Sequence, residues 1–181
     1  MSLKPDNISR KFRNWLIKES GLAWEQSLKD WTSKIKEYFG ELGRQEGFRP
    51  VYSKKDATEY LVDIVWRVGG PQRYLCLAIE SELSKNEKNI LEDFEKLVDI
   101  KALMKVGLFH TRPLKNERRI VEKMKDILNS QVLVLSNEVY LVIFMKYDSE
   151  KEEIILSAYD LDLKGTTHRR IYEDSYPFPK S

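Results

Sequence analysis

Three acidic residues lie in two stretches whose composition is typical of β-strands. Asp63 lies in the first stretch, residues 59–68, and Glu80 and Glu82 end the second, residues 73–82. Both stretches are rich in β-branched, aromatic and aliphatic side chains, and the Gly-Gly-Pro sequence between them indicates a turn. The two stretches therefore predict a β-hairpin that carries carboxylates towards one end.

The apolar residues of this hairpin predict its pairing register. Residues two apart lie on the same face of a strand, and one register sorts the apolar side chains onto a single face. In that register Asp63 lies opposite Glu80. The predicted apolar pairs are Ile64 with Ile79, Trp66 with Leu77 and Val68 with Leu75. The other face then carries Asp63, Glu80 and Glu82 near one end of the hairpin.

Carboxylates gathered on one face of a sheet repel each other. A divalent cation removes that conflict, because hard cations bind clustered carboxylate oxygens. The chain has two histidines and one cysteine, too few for a zinc site of the usual kind. We therefore expect oxygen ligands for any metal here. The alternative is a solvated strand end with unrelated acidic residues.

The elements around the hairpin follow from the spacing of apolar residues. The predicted elements are helices at 8–20 and 23–45, a strand at 48–53, the hairpin, a helix at 87–102, a strand at 104–110, a helix at 116–129, and strands at 140–147 and 153–159. The strands on either side of the 87–102 helix form a βαβ unit, so we expect them to be parallel.

These elements predict one α/β domain spanning residues 1–181. Residues 1–22 are expected to form an N-terminal helical extension, and residues 171–181 an extended C-terminal tail.

Composition restricts the class of protein. Hydrophobic residues make up 41% and charged residues 33% of the chain, which is typical of a soluble globular domain. No apolar run approaches the roughly 18 to 20 residues of a membrane span, and the first residues lack the apolar core of a secretory signal. The single cysteine favours a reducing, cytoplasmic location. The net charge of +2 argues against a strongly basic nucleic-acid binder, although local basic clusters could contact phosphates.

The acidic motifs and the order of elements resemble the PD-(D/E)xK nuclease superfamily. The matching segments are Val62-Asp63-Ile64-Val65-Trp66 and Ala78-Ile79-Glu80-Ser81-Glu82, and the resemblance covers residues 31–110. It implies the restriction-endonuclease-like fold, in which helices flank a central mixed β-sheet.

The resemblance also implies a chemistry for the hairpin. Asp63 and Glu80 would bind Mg²⁺ or Mn²⁺, with the carbonyl oxygen of Ser81 as a further ligand. Glu82 would bind a metal or orient a water molecule. Such a site would hydrolyse phosphodiester bonds in a nucleic acid, with DNA as the expected substrate.

One position departs from the superfamily pattern, because Glu82 stands where a lysine is usual. In parts of the superfamily the lysine has moved to the following helix. Counting 100° per residue along the helix predicted at 87–102 places Lys101 within the apolar stripe and Lys96 outside it. Lys101 is therefore the candidate catalytic lysine, and the alternative is a lysine whose stem covers the core while its charge reaches water.

Two other functions stay open at this level. A domain that kept the fold but lost turnover would bind nucleic acid or a protein partner, and Glu82 in the lysine position favours that reading. A third possibility is a protein-interaction module that uses the amphipathic N-terminal helices, which could also form a homodimer.

Overall fold

The protein has four helices and seven strands in the part of the chain that the structure describes. This computed structural model describes residues 3–23, 28–52, 61–68, 74–84, 86–111, 115–131, 138–148, 150–151, 153–161 and 168–177. The elements are α1 (Pro5–Ala23), α2 (Leu28–Gln45), β1 (Arg49–Tyr52), β2 (Ile64–Arg67), β3 (Leu75–Glu82), α3 (Glu87–Asp99), β4 (Ala102–His110), α4 (Lys115–Ser130), β5 (Val139–Asp148), β6 (Glu153–Leu161) and β7 (His168–Pro177). The predicted hairpin turn lies outside the described residues.

The strands form one mixed sheet in which spatial order equals chain order, from β1 to β7. β3, β4 and β5 are parallel, and every other neighbouring pair is antiparallel. Each of the two parallel connections contains a helix, as a parallel pair requires. The predicted α/β class with a mixed sheet and flanking helices is confirmed, as is the parallel pairing of β3 with β4.

The helices cover the two faces of the sheet in pairs. On the first face, the α1–α2 face, apolar side chains of both helices pack on β2 to β6; examples are Phe12, Leu16, Ile35, Phe39, Trp66 and Ile79. On the second, the α3–α4 face, Phe94 and Met124 pack against Phe109, Val142 and Tyr159. Residues Ile8, Phe12 and Leu16 of α1 are buried, so the predicted N-terminal extension is an integral part of the core.

Helix α3 is shorter than its hydrophobic pattern predicts. Its N-cap is Asn86, whose side chain accepts a hydrogen bond from the Lys88 N–H at 3.0 Å. The helix ends at Asp99 because Ile100 is extended, with φ −83° and ψ 134°, and β4 begins at Ala102. The predicted helix to Ala102 is therefore wrong at its end, and Lys101 lies in the connection to β4 with an exposed side chain.

The hairpin register is confirmed over its central part. Ile64 pairs with Ile79, and Trp66 pairs with Leu77. The register then shifts by one residue, because a β-bulge between Trp66 and Arg67 pairs Arg67 with Leu75 in place of Val68.

The segment predicted as a C-terminal tail is mainly a strand. β7 pairs with β6 from His168 to Pro177, and α1 lies beside it. The Tyr172 hydroxyl donates to the Ser9 carbonyl oxygen at 3.1 Å, and Arg169 pairs with Asp6 at 2.9 Å. None of the helices described is long and apolar enough to cross a membrane.

Candidate functional site

Asp63 and Glu80 are in contact at the end of the β2–β3 pair. The Asp63 N–H donates to Glu80 Oε2 at 2.7 Å. Asp63 Oδ2 in turn accepts hydrogen bonds from the Ser81 N–H at 3.1 Å and from the Ser81 hydroxyl at 2.7 Å. The antiparallel register therefore joins the Asp63, Glu80 and Ser81 positions in one hydrogen-bonded group.

Lysines from two helices reach these carboxylates from opposite faces of the sheet. Lys36 of α2 lies 2.8 Å from Asp63 Oδ1, so a lysine from the α1–α2 face reaches this carboxylate. Glu80 alternates with Ala78, which packs beside Leu97 of α3. Asp63 precedes the regular part of β2; its carboxylate contacts Lys36 and Ser81, and its charge acts on both Glu80 and Asp93.

Lys96 is the lysine that α3 supplies to the acidic group. Its Nζ lies 2.5 Å from Asp93 Oδ1 and 3.6 Å from Glu80 Oε1. Asp93 and Lys96 are three residues apart, so they lie on one side of the helix. Among the described residues, Lys101 makes no ion pair with Asp63 or Glu80, because α3 ends before it.

Glu82 lies at the end of β3, two residues beyond Glu80 and on the same strand face. Its Oε1 accepts a hydrogen bond from the Ser84 N–H at 2.6 Å. The charge of Glu82 also contributes to raising the pKa of Asp93, after the larger effect of burial. Glu82 therefore acts on Asp93 through its charge, while its carboxylate is hydrogen-bonded to Ser84, in the loop after β3.

The acidic group carries more negative charge than its lysines neutralise. Four carboxylates meet two ammonium groups: Asp63, Glu80, Glu82 and Asp93 with Lys36 and Lys96. Burial, and then the neighbouring Asp63 charge, raises the pKa of Glu80 to about 8, although Lys96 acts in the opposite direction. The hydrogen bond to Asp93 is the main cause of a raised pKa at Lys96, which stays protonated.

The donor chemistry of this group fits a hard cation. Mg²⁺ binds through one or two carboxylates and keeps several of its water ligands, and the hydrogen bond from the Asp63 N–H to Glu80 Oε2 places these two acidic residues side by side. Throughout the ranges that the structure describes, no group of three or more His, Cys, Asp or Glu side chains is arranged to hold a metal ion. A cation at this position would compete with Lys36 for Asp63 Oδ1.

Fold and site together define an α/β domain whose carboxylate–lysine group lies at the carboxyl end of its first parallel strand. Comparisons with protein-family models, curated proteins and solved structures give no match. The superfamily resemblance therefore stays a prediction drawn from the motif residues and the order of elements.

Two residues of the site, Lys36 and Asp93, have no assigned role in the sequence prediction. Lys36 directly follows the buried Ile35, at the border of the apolar stripe of α2, a position from which a lysine can extend past the core. Asp93 precedes the buried Phe94 and lies three residues before Lys96. Asp93 lies within the apolar stripe of α3, and this unusual position for an acidic residue could have indicated that it belongs to the site.

Proposed function

We propose that the protein is a Mg²⁺- or Mn²⁺-dependent nuclease that hydrolyses phosphodiester bonds in DNA, with a restriction-endonuclease-like core. The observation that carries the proposal is the hydrogen bond from the Asp63 N–H to the Glu80 carboxylate, which makes the two acidic residues neighbours, together with Lys96 Nζ at 3.6 Å from Glu80. These three residue types are those of the superfamily motif, with the lysine supplied by α3 in place of β3.

Each residue has a role in this proposal. Asp63 and Glu80 would hold the cation, with the Ser81 carbonyl as a further oxygen ligand. A bound cation lowers the pKa of its water and stabilises the charge that develops on the scissile phosphate. Lys96 places an ammonium group beside Glu80, where it balances negative charge on the substrate. Glu82, at the end of β3, would orient water.

The state of Glu80 supports a cation at this position. Burial and the charge of Asp63 raise the pKa of Glu80 to about 8, so without a bound cation its carboxyl group holds its proton at neutral pH. A nearby positive charge favours the ionised form of a carboxyl group. Metal binding would therefore release a proton from Glu80, which calorimetry in buffers of different ionisation enthalpy measures directly.

A cleavage assay with purified protein tests the activity. Plasmid and single-stranded DNA are incubated with Mg²⁺ or Mn²⁺ and with wild type, Asp63→Asn or Lys96→Met. We expect each substitution to reduce the rate at least about 100-fold, because each removes a charge that acts on the reacting phosphate or its metal.

The matched control for this assay is Asp126→Asn, which removes an exposed carboxylate from α4. It should cleave at the wild-type rate. Wild-type cleavage by Asp63→Asn, or by a protein without divalent cation, would contradict the proposal.

A second candidate is a domain of the same fold that binds its partner without cleaving it. The Lys36–Asp63 ion pair favours this candidate, because it already neutralises one of the two proposed metal ligands. Titration of Mg²⁺ into wild type and Lys36→Met separates the two functions. Binding by wild type that Asp63→Asn abolishes supports the nuclease, whereas binding that appears only in Lys36→Met supports the non-catalytic domain.

A further inference from the structure

A second site candidate lies on the α3–α4 face, away from the carboxylate–lysine group. A cavity of about 370 Å³ opens between α4 and the β6–β7 pair. Its lining residues include Arg118, Val121, Glu122, Tyr159, His168 and Arg170. None of these residues belongs to the site around Asp63 and Glu80, so the cavity is a separate feature of the molecule.

A buried ion pair supports the wall of this cavity. Glu117 in the first turn of α4 pairs with Lys146 of β5, and both residues are almost completely buried. The Tyr159 hydroxyl donates to Glu117 Oε1 at 2.5 Å, and Arg170 lies 3.9 Å from the same oxygen. The cavity wall is therefore fixed by buried polar contacts, which is a preorganised arrangement.

The wall carries more positive than negative charge. Arg118 is exposed on α4 and forms no ion pair with any carboxylate that the structure describes. Arg170 also pairs with Glu173 of its own strand, and His168 lies 4.0 Å from Glu122. On the lining itself two guanidinium groups meet one carboxylate, Glu122. Because Arg170 is already paired with Glu173, Arg118 is the guanidinium that gives this lining its positive charge, which favours an anionic ligand.

The volume of the cavity and the side chains that line it indicate which anionic ligand would fit. Guanidinium groups bind phosphate through paired hydrogen bonds, which makes phosphate the best-matched anion for Arg118 and Arg170. The Tyr159 and His168 rings lie 5.7 Å apart at 58°, beside the apolar Val121. The volume of about 370 Å³ is near the lower end of the range of about 300 to 1,000 Å³ for small-molecule sites.

We propose that this cavity binds a small phosphate ester that carries a ring, of the nucleoside monophosphate type. Arg118 and Arg170 bind the phosphate, and the partly exposed His168 ring, which packs on the buried Tyr159, contacts the ring of the ligand. The proposal rests on the cavity alone and is independent of the function proposed for Asp63 and Glu80.

Calorimetric titration of the whole protein tests this site at low salt. The probes are the four ribonucleoside 5′-monophosphates, adenosine, and inorganic phosphate. We expect at least one monophosphate to bind more tightly than inorganic phosphate or adenosine. Arg118→Gln should weaken that binding about tenfold or more, because it removes a charge-assisted hydrogen bond to phosphate.

The matched control is Arg119→Gln, one residue along the same helix. Arg119 is exposed and pairs with Glu87 of α3, so its loss changes the net charge equally without changing the cavity. Affinity equal to wild type in Arg119→Gln, with reduced affinity in Arg118→Gln, supports the site. The proposal is overturned if no monophosphate binds, if inorganic phosphate binds as tightly as the best monophosphate, or if the two variants lose affinity equally.

Discussion

Two groups of lysines and carboxylates in this protein differ in their net charge and in how far they are buried. Around Asp63 and Glu80, four carboxylates meet two lysines, and Lys96 has 41% of its side chain exposed. Between α4 and β5, Glu117 and Lys146 form a pair with 1% and 4% of their side chains exposed, and Arg170, which is itself paired with Glu173, lies 3.9 Å from Glu117. The first group keeps an excess of negative charge, whereas the second balances its charge within the protein.

This difference indicates different uses of the same residue types. A buried pair whose charges cancel fixes the elements that carry it, here α4 and β5, but offers no net charge to a ligand. In the unbalanced group burial, and then the charge of Asp63, raises the pKa of Glu80, and the excess negative charge favours a cation. The balanced pair thus supports a neighbouring cavity, while the unbalanced group is itself the candidate site.

The largest expected effect comes from breaking the balanced pair. Lys146→Met leaves the Glu117 carboxylate buried without its ammonium partner, which should lower the free energy of unfolding by about 3 to 5 kcal/mol. Urea unfolding monitored by circular dichroism measures the loss. The double variant Lys146→Met with Glu117→Gln should recover much of it, since no unpaired charge remains. A loss below about 1 kcal/mol in the single variant would show that the pair is not buried as described.

A smaller and pH-dependent effect is expected at the unbalanced group. The pKa of Glu80 is raised from 4.5 to about 8 in the folded state. As the pH rises, Glu80 therefore loses its proton at a lower pH in the unfolded chain than in the folded protein. The folded state therefore loses stability between pH 4.5 and about 8, and the loss stays constant above this range.

Glu80→Gln removes this titration while keeping an oxygen that accepts the Asp63 N–H. As the pH rises through that range, the free energy of unfolding of Glu80→Gln should increase by about 2 to 4 kcal/mol relative to that of wild type. Urea unfolding at several pH values, with a chelator present, measures this difference. Glu82→Gln, at the more exposed position, is the control. A constant difference between Glu80→Gln and wild type at all pH values would contradict the assignment.

The smallest expected effects separate the two lysines near the end of α3. Lys101→Met should change the free energy of unfolding by less than about 0.5 kcal/mol, because Lys101 is exposed and outside the helix. Lys96→Met should cost up to about 1 kcal/mol and should move the Glu80 titration to higher pH, because the Lys96 charge lowers the pKa of Glu80. If the free energy of unfolding depends on pH in the same way in both variants, the assignment of Lys96 as the partner of Glu80 is contradicted.

The sequence predicted the central β3–α3–β4 unit well because its hydrophobic period changes clearly at each boundary. The register of the hairpin was predictable for a related reason: only one register placed Trp66 and Ile64 on the same face as their apolar partners. The strand β7 was missed because it is an edge strand, rich in charged residues such as Arg169 and Glu173, and lacks apolar alternation.

The candidate site was less predictable than the fold. The contact between Asp63 and Glu80 followed from register, but the direction of the Asp63 side chain depends on where regular pairing stops. The placement of Lys101 on α3 was wrong because helical periodicity does not reveal that the helix ends before Ile100. Lys36 approaches from α2, and which part of α2 faces Asp63 depends on the packing of that helix on the sheet.

The strand order has a consequence for how the chain assembles. Because every strand neighbour in the sheet is also a neighbour along the chain, the sheet can grow in the order of synthesis from short-range pairings. Helix α1 is the exception, since it is made first yet contacts β7, the last strand, through Tyr172 and Arg169. The apolar side of α1 packs on α2 and on β5 and β6, so this helix can complete its packing only after strands from the second half of the chain have formed.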